Sequence, residues 1–343
     1  MRAGRHHGGT PVPVGRPPGP GSAQGGFPHR VRGPPVPDVS GLAGRLARAI
    51  DRAEPRGTPL AVGRSLLAAA SLLTVLLSSD SELFIRTAEL PDGMRCTGVR
   101  AASLWCLVGP TESGLPVGRT LAVVVLVLVL VGFSPRWTCV PHWYVAFSLA
   151  AAMEMANGGD TIAQVATMLL VPVCLGDDRV SHWQPVLRPL APSWRGSAFA
   201  AHLGLRAQLC LIYLGAVTAK LMDPQWRHGT ALSTVAHHPQ YGFPVPVRDL
   251  LSPVLGSYWS VALLSWSVVG VQVALALLTL GRRRHRLVAL VLGGGLHLGI
   301  MFFMSLPSFG MVMIAVLVIS AASVTSERRA GQPGAASEER NRP

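Results

Sequence analysis

The chain has 343 residues, 49% of them hydrophobic and 14% charged, where a soluble domain carries about 25% charged residues. Its net charge is +13, yet the basic residues are scattered through loops and tails with no interleaved aromatic platform, which argues against a nucleic-acid partner. This balance excludes an ordinary soluble domain and points to the lipid bilayer as the main partner, in a multi-pass protein of the cell membrane.

Residues 1–58 are rich in Gly, Pro and Arg, as in GRPPGPG and RGPPVP. Such a segment buries too little apolar surface to offset its ordering entropy, so it is expected to be a disordered cytoplasmic tail. An Ala/Leu/Arg run at 41–53 within it suits a helix lying on the membrane surface. The stretch before the first apolar run is too long and too polar for a secretory signal peptide.

From 59 to 325 the sequence reads as one all-α, polytopic transmembrane helix bundle. About eight apolar segments are expected, roughly at 60–79, 119–133, 142–157, 161–175, 199–222, 256–280, 286–305 and 309–325. The second and fourth are shorter than the ~20 residues of a full span, so they must borrow flanking residues or pack inside the bundle. Arginines at the segment ends set the orientation. Arg52, Arg56 and Arg64, then Arg179, Arg188 and Arg195, the GRRRHR run at 281–286, and finally Arg328 and Arg329 all fall on one side if there are eight crossings. That parity predicts an N-in, C-in topology. Residues 326–343 are expected to be a second disordered cytoplasmic tail.

The opposite side then carries the loop 80–118, the NGGD turn at 157–160 and the long loop 223–255. Cys96 and Cys106 fall in the first of these, where an extracytoplasmic setting permits a disulfide; the alternative is two free thiols near the membrane surface. Cys139, Cys174 and Cys210 lie in or near apolar segments and are expected to be packing residues. No Cys/His spacing suits a metal, and no cofactor can be named from the sequence.

The fifth segment is the most informative. Of the 30 basic residues 29 are arginine, and the single lysine, Lys220, stands at the end of this segment. The segment also holds His202, Arg206, Gln208 and Tyr213. At about 100° per residue, His202, Arg206, Tyr213 and Lys220 share one narrow face of a helix. Ionisable groups at membrane depth are costly and face protein or a wet cavity, so the face is a candidate intramembrane polar site, with Glu154 of the third segment as a counter-charge and His297 of the seventh as a further member. The competing reading is that Arg206 and Lys220 snorkel to opposite interfaces, and that His297 is a packed, hydrogen-bonded residue.

Pro224 is expected to end or kink this helix, and Trp226 to sit at headgroup level. The following HHPQYGFPVP run, 237–246, reads as an irregular re-entrant loop or surface cap. Its His237 and His238 are either acid–base groups or ordinary loop residues; as adjacent residues they are poor joint ligands for one ion. Pro307 is expected to break the chain between the last two segments, and Gly293 to Gly295 to allow close helix approach.

In order along the chain stand Gly158-Gly159-Asp160, Arg206-x-Gln208, Tyr213 followed by Ala216-x-x-x-Lys220-Leu221, Trp226-x-x-Gly229, and a late His297 with Pro307 and Phe309. This order resembles the HTTM domain, the membrane domain shared by vitamin K-dependent γ-carboxylases and many bacterial proteins. Within that group it is most similar to the sporulation-delaying protein B type. The resemblance covers about residues 60–325. It implies two different roles. In the carboxylases a lysine at the end of the Tyr-containing helix is a catalytic base on a reduced quinone, and Lys220 falls on that position. A lysine desolvated in apolar surroundings can shed its proton and act as such a base. Two features depart from the carboxylases: these 343 residues hold no counterpart of their β-rich substrate domain, and the Asn-His pair that meets the quinone has no match, since Asn157 is followed by Gly158. The sporulation-delaying protein B type is linked to production of a secreted peptide toxin. It therefore implies a factor for maturation or export of a small secreted peptide or its precursor. A transporter or a purely structural membrane protein is the third class, against which stands the lack of any visible repeat between the two halves.

Overall fold

A computed structural model describes residues 39–109, 111, 114–153 and 158–323. The chain divides into two units, Met1–Leu42 and Ala43–Pro343. Of the first unit only the opening turn of a helix, Val39–Asp51, is described.

Eight longer helices follow, each overlapping one of the expected apolar segments: α1 (Thr58–Leu77), α2 (Gly114–Leu130), α3 (Pro135–Ala152), α4 (Gly158–Leu175), α5 (Pro192–Met222), α6 (Tyr258–Thr279), α7 (Arg283–Phe303) and α8 (Pro307–Ala321). Among the described residues there is no strand, and one isolated bridge pairs Phe133 with Ser181. Among the described residues five helices, α1 and α4 to α7, are long and apolar enough to cross a membrane. Helices α2 and α8 are apolar but shorter, at 17 and 15 residues. Prolines open α1, α3, α5 and α8, where a missing N–H costs nothing. Pro307 does separate α7 from α8, through a short link at 304–306 in which Ser305 takes φ +52°.

Helix α8 packs lengthwise against α1, closing the first apolar helix onto the last. It also packs on α7 and α4, so it occupies the middle of the bundle. In lipid the apolar effect does not hold helices together; close packing and interhelical hydrogen bonds do. Accordingly the core is tight: Leu205, Leu209, Leu275, Met313 and Leu317 are all sealed. Of Gly293 to Gly295 on α7, only Gly293 lies at a close approach, where a Cβ would meet Leu317 at 2.6 Å. Gly294 and Gly295 face open space.

Within the 1–58 segment the described residues include the run at 41–53, which suits a helix. Val39–Asp51 is helical, and Ala53 and Arg56 behind it are buried. The physical reason is Arg56. Its Nη2 donates to the Arg188 carbonyl at 2.8 Å, its Nε meets Glu54 Oε1 at 2.7 Å, and its Nη1 lies 3.8 Å from Asp177. Burial disfavours the charge on Arg56, but the Glu54 and Asp177 carboxylates outweigh burial and hold its pKa above the ordinary value. Residues 1–38 and 324–343 lie outside the described residues.

The loop residues 80–109 fold over the ends of α1 to α3 around Phe84, Met94 and Trp105. Cys96 and Cys106 are joined in it by a disulfide, with Cα atoms 5.6 Å apart. The loop 223–257 holds four short helices, Pro224–Arg227, Ala231–Ala236, Val245–Leu250 and Ser252–Leu255, and the stretch 237–244 between the second and third is irregular.

Candidate functional site

The polar face of α5 divides along the helix into three groups. At 1.5 Å per residue, Arg206, Tyr213 and Lys220 are each about 10 Å apart along the axis. His202 and Tyr213 are buried, while Arg206 and Lys220 are half-buried. The reverse face, with Leu203, Leu211, Leu214 and Leu221, is exposed as a lipid-facing surface requires.

The first group is His202 with Arg206. The guanidinium Nη2 lies 2.8 Å from His202 Nε2. Arginine can only donate, so Nε2 is the acceptor and the ring is held neutral with its proton on Nδ1. Glu154, the expected counter-charge, lies outside the described residues, as do Met155, Ala156 and Asn157. Gln208 points elsewhere: its Nε2 donates to the Ile162 carbonyl of α4 at 3.1 Å.

The second group joins α5 to α7. Tyr213 and His297 are both almost fully buried, and the phenol oxygen is 3.1 Å from His297 Nε2. His297 Nδ1 is buried and has no hydrogen-bond partner among the described residues. Phe309 of α8 stands edge-on to the imidazole, with ring centroids 5.6 Å apart. The Gly-Gly-Asp motif converges here. Gly158 opens α4 facing Phe309, where a side chain would touch the ring at 3.8 Å. Gly159 and the buried Asp160 complete that first turn. Motif residues from α5 and α8 thus meet His297 of α7, and Gly158 of α4 lies against the Phe309 ring. A phenol on an imidazole can pass a proton either way, and the orphaned Nδ1 supplies one more donor or acceptor for a bound group.

The third group is the end of α5. The Lys220 ammonium sits over the Trp226 ring, 4.9 Å from its centroid. Trp226 is positioned by a sharp stop: the Asp223 side chain accepts from Gln225 N at 2.8 Å, capping the helix that Pro224 begins. Gly229 closes the turn with φ +74°, and a Cβ there would meet Ala262 Cβ at 2.8 Å. Its carbonyl accepts from Ser265 Oγ at 3.3 Å, which ties the loop to α6.

His237 and His238 do not join this face. His237 Nδ1 bonds the Ser233 carbonyl at 2.8 Å, and His238 stacks on Tyr241 with centroids 3.5 Å apart. Their contacts are those of a folded surface loop. Among the described residues no group of three His, Cys, Asp or Glu side chains is placed to hold a metal ion.

A further polar cluster escapes the sequence reading. Arg64 counts there only as one of the arginines at a segment end, yet it is 1% exposed. Its Nη1 lies 3.2 Å from His182 Nδ1, and its Nη2 donates to Thr138 Oγ1 at 3.2 Å. His182 Nε2 is 3.3 Å from Ser65 Oγ, which donates to the Leu130 carbonyl at 2.8 Å. The available signal is an arginine nearly two turns inside an apolar helix.

The chain is 30% identical over 272 residues to sporulation-delaying protein SdpB of Bacillus subtilis (strain 168), a match that covers 79% of this chain and 83% of the relative. The chain belongs to the SdpB family. A second member, the uncharacterized protein YitO of the same bacterium, is 29% identical over 272 residues, 78% of this chain and 86% of YitO. No family model matches the sequence, so the wider HTTM grouping gains no support from one. No solved structure matches the chain either. An SdpB-like chain with five helices fit to cross a bilayer is a membrane protein.

Proposed function

We propose that this SdpB-family protein is a cell-membrane factor for the maturation or export of a small secreted peptide or its precursor, with Tyr213, His297 and Lys220 as its working residues. The observation that carries the reading is the match to SdpB over 272 residues, a protein whose name ties it to delaying sporulation. Eight crossings, with both termini in the cytoplasm, fit the contacts between helix ends. Arg56 reaches Gly176 and Arg188, Phe133 bridges Ser181, and Arg286 reaches Ala322. On the opposite side Arg119 reaches Ser78, Tyr144 reaches Ala102, and Tyr258 reaches His228. Apart from that of Tyr144, which lies midway along α3, each contact joins ends that eight crossings would bring together.

The test is production of the secreted peptide from cells in which this gene is deleted or replaced, read by mass spectrometry of the culture medium. Deletion is expected to abolish one small secreted peptide, and Tyr213→Phe or His297→Ala to reduce it about tenfold or more, as loss of a positioned acid–base group does. An unchanged set of secreted peptides after deletion overturns the reading.

A second reading is an HTTM-type, carboxylase-like enzyme acting on a quinone or lipid inside the bilayer, with Lys220 as base. The orphaned Nδ1 of the buried His297 favours it, because an intramembrane polar atom without a partner suits a bound polar group. Lys220→Arg separates the two ideas. Arginine keeps the cation over Trp226 but cannot act as a neutral base, so full activity in this variant removes the base mechanism.

A further inference from the structure

The loop joining α4 to α5 builds a second feature, at the end of α5 opposite Lys220. Guanidinium groups staple this loop in place. Arg56 donates to the Gly176 and Arg188 carbonyls at 3.4 and 2.8 Å, and Arg195 to the Leu190 carbonyl at 2.8 Å. Arg179 grips Asp177 at 2.7 Å and donates to the His182 carbonyl at 3.2 Å. Glu54 accepts from Leu190 N at 2.7 Å. The loop is thus held in one shape without regular structure, and a surface so fixed gives up little entropy when it binds.

Two open cavities, of about 480 and 220 Å³, share Val186 and Leu187 as a wall. Leu187 is 87% exposed. Arg188 lines the larger cavity and Arg52 the smaller. Pro185 and Pro189 bracket the wall, and a residue before proline favours extended backbone. Among the described residues the N–H groups of Val186, Leu187 and Arg188 have no acceptor. Such a row is a template that an extended peptide matches and a bilayer surface does not.

Charge says which peptide. Arg52 and Arg188 form no ion pair among the described residues. The same end of the bundle carries further arginines. Phe133 bridges Ser181, which brings Arg136 there, and the Arg286 contact to Ala322 at the end of α8 brings Arg282 and Arg284. The described carboxylates around the loop are Asp51, Glu54, Asp177 and Asp178, and Arg56 and Arg179 already hold Glu54 and Asp177. Excess arginine is usual at one end of a membrane protein and makes no site by itself. Here it surrounds a built trough.

We propose that this trough binds an extended acidic peptide segment, its main chain along Val186 to Arg188 and its carboxylates on Arg52 and Arg188. Apolar side chains of the segment fill the two cavities beside Leu187.

The full-length protein in phosphatidylcholine nanodiscs is titrated into a fluorescein-labelled peptide, Glu-Glu-Leu-Val-Leu-Glu-Glu, and into its counterpart with lysine for every glutamate. Binding is read by fluorescence anisotropy. Wild type is expected to bind the acidic peptide about tenfold more tightly than the basic one, and to lose that margin as salt is raised. Arg188→Glu changes an exposed side chain with no ion pair and should weaken the acidic peptide about tenfold. Arg284→Glu, outside both cavities, should leave it nearly unchanged. N-methylation of the three apolar residues of the peptide removes their N–H donors and should weaken it about fivefold. Equal binding of the two peptides by wild type overturns the proposal, and that arm needs no variant to fold. Equal losses in Arg188→Glu and Arg284→Glu also overturn it, as does full affinity for the N-methylated peptide. If vesicles of phosphatidylglycerol displace the acidic peptide, the surface serves anionic lipid and the peptide assignment is wrong. If the peptide binds only after residues 324–343 are removed, this chain's own tail is the occupant and the assignment is again wrong. The trough lies apart from Tyr213 and His297, so none of these results depends on the secreted-peptide reading.

Discussion

Arg64 of α1 donates to the Nδ1 of His182, in the loop between α4 and α5, at 3.2 Å. Because arginine has no lone pair to offer, this contact fixes the tautomer. His182 is neutral, its proton is on Nε2, and that proton points to Ser65 Oγ. The Ser65 hydroxyl in turn donates to Leu130, so one directional chain links α1, α2 and the loop.

Acid should therefore weaken the fold through His182. Burial, with the Arg64 and Arg179 charges, pushes its pKa from the usual 6.5 down to about 4. Above pH 6.5 the imidazole is neutral folded or unfolded, and the network contributes fully. Between pH 6.5 and about 4 the unfolded chain takes the proton and the folded one does not, so stability falls as pH falls. Below about pH 4 the loss is complete. Thermal melting of the detergent-solubilised protein should show a falling melting temperature across this window, and His182→Gln should flatten that part of the curve. A wild-type curve no steeper than that of the variant would count against the assignment.

Thiol labelling of intact cells should leave Cys96 and Cys106 unmodified until a reductant is added, since the two are bonded and half-exposed or exposed. A double Ser variant should lose about 2 kcal/mol or more of stability, because opening the link frees the unfolded loop. Labelling without reductant, at the rate of a free surface thiol, would refute the bond.

Much of this architecture is legible in the sequence, because lipid imposes a simple rule. Every backbone group must be paired within its own segment, so apolar runs become helices. The shared face of His202, Arg206, Tyr213 and Lys220 follows from helical spacing alone. What spacing along one helix does not reveal is how the face is shared out among its neighbours. His202 and Arg206 satisfy each other, Tyr213 turns to His297 on α7, and Lys220 rests on Trp226. The Arg64–His182 contact joins residues 118 positions apart through a polar loop, and nothing in local periodicity predicts it. Likewise Arg56 lies in a composition that reads as tail, and the Asp177 carboxylate and the Arg188 carbonyl, from a distant loop, make it structural together with its neighbour Glu54.

Tyr213→Phe removes the partner of His297 Nε2 while keeping the ring. His297 Nδ1 already lacks a partner, so both ring nitrogens would then be buried and unsatisfied. The expected cost is about 1–3 kcal/mol. If the pair also does the chemistry, production of the secreted peptide should fall further than the lost stability accounts for. Comparing peptide yield with the amount of folded protein in the membrane separates the two. Proportional loss of both leaves Tyr213 as a packing residue alone.

Gly229 offers a test of whether the Trp226 turn matters at a distance. The residue sits at φ +74°, and an added Cβ would press on Ala262 of α6 at 2.8 Å. Left-handed backbone costs a non-glycine residue about 1–2 kcal/mol before that overlap is counted. The expected result for Gly229→Ala is a displaced turn, so that Trp226 leaves Lys220 and the ammonium loses a contact of about 0.5–1 kcal/mol. Tryptophan fluorescence is too crowded to read this, because the chain has eight tryptophans. Reaction of the protein's single lysine side chain with an amine reagent is clean by contrast. Lys220 should modify faster in Gly229→Ala than in wild type, and faster again in Trp226→Leu; equal rates in all three would mean that the ring does not shield the ammonium.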